Sequence, residues 1–197
     1  MLKRTKIVSL LEADQPIEKV LVKGWVRTRR DAKDFSFIEL NDGSSLKNIQ
    51  IIANNNLSNY EEVKKITTGS SLAVTGALVE SKGGNQKYEI VAGEIEIYSL
   101  APDDFPLQKK KHTDEYLRTI AHLRPRTNKY GAAFRVRSEL SFAIHKFFND
   151  RGFRYVHTPI ITGSDCEGAG EMFQVTTLDL NNVPKLPDGS VDYSLSL

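Results

Sequence analysis

The sequence predicts an α+β chain in two unlike parts, a five-stranded β-barrel followed by the opening of a mixed helix-and-strand domain. Three observations carry this. Between Val20 and Tyr98, short β-forming runs alternate with turn signals, and one helical run interrupts them. The stretch Ala101-Pro102-Asp103-Asp104-Phe105-Pro106 sets two prolines and two acids between ordered segments, the composition of a boundary. Beyond it, apolar residues recur at spacings of about 3.6 as far as Phe147.

Each element has its own signal. Val20-Leu21-Val22-Lys23-Gly24-Trp25-Val26 reads as the first strand, with Gly24 where a barrel strand bends sharply. Phe35 to Leu40 is the second, followed by the turn signal Asn41-Asp42-Gly43, and Asn48 to Ala53 is the third. Tyr60 to Ile66 is a short helix with Val63 and Ile66 on one face. Ser71 to Glu80 and Lys87 to Tyr98 are the last two strands, around Lys82-Gly83-Gly84-Asn85. Five strands with a helix between the third and fourth is the order of an OB-fold, a Greek-key barrel that often binds oligonucleotides, although other five-stranded barrels share that count.

In the second part, Val136, Leu140, Ala143, Ile144 and Phe147 share one face of a helix from about Phe134 to Asn149. Gly152 falls in its C-cap region, Tyr155 to Thr158 is a short strand, and Pro159 suits its end. Leu178 to Leu197 alternates Asn, Pro, Asp, Gly and Ser, and reads as a loop cut off in mid-course. The expected domains are a barrel over 1–102, a basic hinge over 103–130 and a second domain over 131–197.

Composition narrows the function classes. With 40% hydrophobic and 26% charged residues, the chain is of ordinary globular type, and no apolar run approaches the ~20 residues of a membrane span. No membrane partner is expected. No signal-peptide core follows Met1-Leu2-Lys3-Arg4, and a single cysteine, Cys166, rules out an internal disulfide and suits a reducing, cytoplasmic setting. No metal site is expected. Net charge is only +2, but Leu107 to Arg137 holds nine Lys and Arg against two acids. That region, with Lys109, Lys110 and Lys111 in a row, is either a solvated linker or a phosphate-facing hinge that gains affinity by releasing counterions.

Strand parity singles out side chains on the barrel surface. Ile38 and Leu40 point inward, leaving Phe35 and Phe37 outside; Ile49 and Ile51 point inward, leaving Gln50 outside; Ile95 and Ile97 point inward, leaving Glu94 and Glu96 outside. Phe37 can stack an unpaired base, Gln50 carries a donor and an acceptor for a uracil edge, and Glu94 can accept from a guanine. Arg27, Arg29 and Arg30 add positive charge; parity puts Arg27 and Arg29 beside Trp25, with Arg30 past the regular strand. The alternative is plain: Phe37 is covered by a neighbouring domain, and Gln50 and Glu94 are solvated polar groups.

A resemblance favours the base-reading alternative. Arg151-Gly152-Phe153-Arg154-Tyr155-Val156-His157-Thr158-Pro159-Ile160-Ile161-Thr162 behind its amphipathic helix resembles motif 1 of the class II aminoacyl-tRNA synthetases. Gly24-Trp25-Val26-Arg27-Thr28-Arg29-Arg30-Asp31 and Phe35-Ser36-Phe37-Ile38-Glu39-Leu40-Asn41-Asp42-Gly43 resemble the anticodon-binding barrel of the aspartyl/asparaginyl subgroup. His122-Leu123-Arg124-Pro125-Arg126-Thr127 and Glu167-Gly168-Ala169-Gly170-Glu171-Met172-Phe173-Gln174-Val175 resemble the bacterial-type asparaginyl-tRNA synthetases.

That resemblance implies an OB-fold anticodon domain followed by the start of a class II antiparallel α/β catalytic domain. It implies a homodimer that activates asparagine with ATP and Mg2+ and esterifies it to tRNA(Asn). Phe37 matches the residue stacking on the central anticodon uracil, Gln50 the one hydrogen-bonding to it, and Arg30 and Glu94 complete the contact. Glu167 matches a mobile-loop carboxylate that pairs with the substrate ammonium, and Gly152 and Pro159 belong to the motif 1 dimer interface. Motifs 2 and 3, with the arginines that grip ATP, do not occur in the 197 residues. The catalytic residues are therefore not assignable, no tightly bound cofactor is expected, and the chain alone is expected to be inactive. Two other readings stand beside this one: an aspartyl-tRNA synthetase of relaxed specificity, which the Gly170-Glu171-Met172-Phe173 segment disfavours, and a free-standing tRNA-binding module.

Overall fold

A computed structural model describes residues 2–84, 86–163, 168, 175–192 and 194. Its contacts divide into two units, Met1–Phe147 and Phe148–Leu197. The first unit is dominated by five strands: β1 (Ile17–Asp31), β2 (Phe35–Asn41), β3 (Ile49–Asn54), β4 (Ser71–Glu80) and β5 (Tyr88–Ser99). They close into a barrel in the order β1-β2-β3-β5-β4, with β3 and β5 parallel and every other pair antiparallel. This is the OB order expected from the sequence.

The alternation that predicted the strands is the alternation that fills the barrel. Ile38, Leu40, Ile49, Ile51, Leu72, Val74 and Ile90 are fully buried, while their strand neighbours face outward. Each fully buried branched side chain contributes about 1.5–3 kcal/mol by leaving water. Gly24 allows β1 to run close to β2, since a Cβ there would lie 2.6 Å from the Asn41 carbonyl oxygen.

Two bulges decide which way the outer side chains face. In β1 the pairing with β2 slips between Val26 and Thr28. Parity beyond it is therefore reversed: Arg29 pairs with inward-facing Ile38, and Arg30 with outward-facing Phe37. The expectation that Arg29 shares a side with Trp25 fails for this reason. Arg30, expected past the strand, lies within it. Arg29 instead caps the barrel end, donating to the Val63 carbonyl at 3.1 Å. In β5, Thr75 pairs with Glu94 and Gly76 with Ala92, so Gly93 is the extra residue. Tyr88, Ile90, Ala92 and then Ile95 are buried on either side of it, and Ile97 packs half-buried against them.

Helix α1 (Ile7–Leu11) precedes the strands and has no counterpart in the sequence reading. Five residues are too few to show a helical period. It buries Ile7 and Leu10 completely in the barrel core. Its first turn is held by the loop after β2: Ile7 N–H donates to Asp42 Oδ2 at 3.1 Å and Val8 N–H to Ser44 Oγ at 3.0 Å. Burial pushes the Asp42 carboxyl up, but hydrogen bonds from Ser44, from the Ile7 amide and from Arg4 outweigh it and hold the group below its ordinary value. The helix between β3 and β4, α2, spans Tyr60–Val63 and buries Val63, with Ile66 buried just beyond it.

The segment after β5 is folded onto the barrel. Thr67 Oγ1 donates to the Ala101 carbonyl at 2.6 Å, and Leu107 is buried. Helix α3 (Asp114–Thr119) is N-capped by the Thr113 hydroxyl and buries Leu117; a 3₁₀ turn, Arg124–Arg126, leads into α4 (Asn128–Asn149). The Thr127 hydroxyl accepts from the Tyr130 amide, which starts α4 six residues earlier than its apolar period suggests. No described residue of α4 is buried.

In the second unit, α4 ends in a Schellman motif. Gly152, at φ +87°, donates to Asn149 at 3.0 Å, and Phe153 N–H donates to Phe148 at 3.2 Å. Phe153 packs edge-on against Phe148, ring centroids 5.5 Å apart. Tyr155 to Thr158 is not a strand but an exposed irregular run, as is Pro159. A strand exists through its ladder partner, and none pairs with it among the described residues. Lys185 and Val191 form an isolated bridge.

Candidate nucleic-acid interface

The outer face of β2 and β3 is where several of the expected residues meet. Phe37 lies edge-to-face with Phe35, ring centroids 4.9 Å apart at 89°, and the Arg30 guanidinium stands 5.4 Å from the Phe37 ring centre. The cation follows from register, because Arg30 pairs directly with Phe37. Phe37 is half-buried, with Arg30 exposed beside it. Phe37 also pairs with Ile52, which makes Gln50 its diagonal neighbour on β3, at a spacing of roughly 7–8 Å.

Gln50 is not solvated as an isolated polar group. Its Nε2 donates to Glu89 Oε2 at 2.9 Å, and Ser81 Oγ donates to the same oxygen at 2.9 Å. Glu89 is only 4% exposed although it lies on the outer side of β5. The sequence reading missed it. The available signal was the run Tyr88, Ile90, Ala92, whose parity places Glu89 and Val91 outward until the Gly93 bulge resets it.

Glu94 lies elsewhere on the surface. It pairs with Thr75 and lines a shallow depression with Arg4, Lys23 and Glu96, on the β1–β4–β5 side. It is exposed, and the structure does not group it with Phe37 and Gln50.

A second concentration of charge and aromatic surface forms where the post-barrel segment meets β1. A cleft of about 630 Å³ is lined by Trp25, Arg27, Phe105 and Arg126, with the exposed Lys109, Lys110 and Lys111 among its walls. The Arg126 guanidinium stacks 4.7 Å from the Trp25 ring centre. Arg27 donates to the Arg126 carbonyl, and burial lowers the pKa of its guanidinium against the raising effect of Glu39. Burial, then the like charge of Arg27, lowers the pKa of Arg126. Arg126 thus lies over the rings of Trp25 and Phe105 with the like charge of Arg27 beside it, which favours a polyanion that neutralises both.

Glu167 lies outside the described residues, so the structure does not place it. Gly152 and Pro159 lie in the second unit, where Gly152 has the capping role given above. Among the described residues no group of three His, Cys, Asp or Glu side chains is assembled to hold a metal, and no helix is long and apolar enough to cross a membrane.

Comparison with known proteins gives the surface a context. The family model of the OB-fold nucleic acid binding domain matches residues 20–98, and that of the class II tRNA synthetases (D, K and N) matches residues 113–188. The asparagine–tRNA ligase of Oleidesulfovibrio alaskensis is 58% identical over 191 residues, which cover 96% of this chain and 41% of that protein. The asparagine–tRNA ligase of Acetivibrio thermocellus is 60% identical over 178 residues, 90% of this chain and 38% of that one. Among solved structures, the asparaginyl-tRNA synthetase of Pyrococcus horikoshii complexed with asparaginyl-adenylate matches at 25% identity and a TM-score of 0.71, covering 81% of this chain and 37% of that one. The chain spans about two fifths of the length of these curated relatives.

Proposed function

We propose that the chain belongs to the asparagine–tRNA ligase family, supported by 58% and 60% identity to two such ligases, and that its barrel reads the anticodon of tRNA(Asn) for a class II enzyme that activates asparagine and transfers it to that tRNA. Phe37 offers the stacking surface for the central anticodon base, Arg30 lends a cation to the same ring and to the phosphate backbone, and Gln50 reads the base edge. Glu94 contacts a neighbouring nucleotide from the β4 side. The observation that carries this reading is the register that places Arg30, Phe37 and Gln50 on one patch of the barrel.

The remaining assignments follow the same reading. Residues 1–102 are the anticodon domain, 103–130 the hinge and 131–197 the start of the catalytic domain. Lys109, Lys110 and Lys111 hold tRNA phosphates beside the cleft. Glu167 pairs with the ammonium of asparagine, a strong charge-assisted contact. The exposed apolar side chains of α4, with the segment from Gly152 to Pro159, pack against a second copy in a homodimer, since large uncovered apolar faces are liabilities in isolation. ATP and Mg2+ serve the activation step through cationic residues that these 197 positions do not supply. The enzyme works in the cytoplasm.

The test is a binding comparison between a tRNA(Asn) transcript and the same transcript with its anticodon replaced. The proposal expects the replaced anticodon to bind the 197-residue chain more weakly; equal affinity for the two contradicts it. The chain by itself is expected to give no asparagine-dependent pyrophosphate exchange, and robust exchange would refute the assignment of activation to residues elsewhere.

A further inference from the structure

We propose that Glu89 is a positioning residue that fixes the orientation of the Gln50 amide and so makes the barrel accept uracil rather than cytosine. The inference rests on the reading above, in which Gln50 meets the central anticodon base. An ionised carboxylate only accepts hydrogen bonds. Glu89 Oε2 faces two donors, Gln50 Nε2 and Ser81 Oγ, each at 2.9 Å. Turning the Gln50 amide over would set its Oε1 against that same oxygen, acceptor against acceptor, beside a carboxylate only 4% exposed. Burial leaves such a mismatch uncompensated and therefore costly. Glu39, across from Gln50 on β2, accepts from Asn48 Nδ2 at 2.9 Å, whereas the Gln50 amide donates to Glu89.

A glutamine amide has two nearly isosteric orientations, and a free one satisfies either pyrimidine by turning over. Glu89 removes that freedom. It uses one amide hydrogen and leaves Oε1 with the second hydrogen for the base. Uracil carries a hydrogen on N3, while cytosine carries a lone pair there. A base held on the Phe37 face therefore gains a hydrogen bond to Oε1 if it is uracil and meets repulsion if it is cytosine. Ser81 contributes by donating to the same Glu89 oxygen.

The experiment titrates the 197-residue chain with two anticodon hairpins that differ only in the central base, uracil or cytosine. The wild-type chain is expected to prefer uracil by roughly ten- to a hundredfold, the range of a well-formed edge contact. In Glu89→Gln, whose side chain is a donor or an acceptor by turn, the preference falls toward equality while the uracil hairpin still binds. An undiminished preference in folded Glu89→Gln overturns the proposal. Should that variant fail to fold, Ser81→Ala decides: a smaller preference supports the lock, and an unchanged one overturns it. A wild-type chain without any uracil preference would instead sink the base-reading role of Gln50, a different failure from a preference that Glu89→Gln retains.

Discussion

The barrel and the long helix are the two most regular parts of this chain, and they treat their apolar side chains in opposite ways. In the barrel, Ile38, Leu40, Ile49 and Ile51 have no exposed surface. Along α4, Val136 is 67% exposed, Leu140 58% and Phe142 68%. Both segments have a clear apolar period. The difference is that the barrel closes on itself, so every strand finds its partners within a hundred residues, whereas α4 and the segment after it present apolar surface outward. The barrel buries its apolar side chains within itself; the helix leaves its own exposed.

Core truncations sharpen this comparison most. Leu10→Ala and Ile51→Ala are each expected to cost about 2–5 kcal/mol in urea unfolding, from forfeited transfer energy and a residual cavity. Leu140→Ala, measured where the chain is monomeric, should stay within about 0.5 kcal/mol, as exposed substitutions do. A Leu140 cost equal to that of the core variants would erase the distinction.

The same contrast explains what the sequence disclosed. Strand alternation was legible because both the core and the pairing partners lie in the barrel itself. Helix α1 was not, since five residues carry no period and its Ile7 and Leu10 matter only once the barrel end exists. Strand parity gave Phe37 and Gln50 correctly but failed for Arg29, because a bulge is a local slip of register that leaves no mark in the pattern of Val26-Arg27-Thr28. Glu89 escaped notice because its burial comes from neighbouring strands rather than its own. The strand expected at Tyr155 to Thr158 had the right composition but joins no ladder among the described residues.

The loop holding α1 supplies a pH-dependent test of barrel closure. The carboxyl of Asp42 has a folded pKa below its unfolded value near ~3.9. Its contribution is therefore present above the unfolded value and disappears as pH falls through the folded one. Stability of the wild-type chain should exceed that of Asp42→Asn at neutral pH, and the gap should shrink as the pH drops below about 4. A gap of constant size from neutral to acid pH would show that the charge plays no part in holding α1.

Smaller effects are expected on the surface proposed to face RNA. Replacing Lys109, Lys110 and Lys111 with Gln should flatten the salt dependence of tRNA binding by about one unit of log–log slope for each phosphate no longer neutralised. An unaltered slope would return them to the role of a solvated segment. Glu94→Ala should have the least effect of the substitutions on the barrel surface, given its place on the β4 side. A loss as large as that for Phe37→Ala would move the reading surface toward β4.

The central claim, that the β2–β3 face of the barrel reads RNA bases, is tested most directly by the affinity of Phe37→Ala for the tRNA(Asn) anticodon hairpin. Loss of a stacking platform predicts binding weaker by ~1–3 kcal/mol, with Phe37→Tyr near the wild-type value. Unchanged affinity in folded Phe37→Ala would contradict the account and leave Phe37 as a half-covered surface residue.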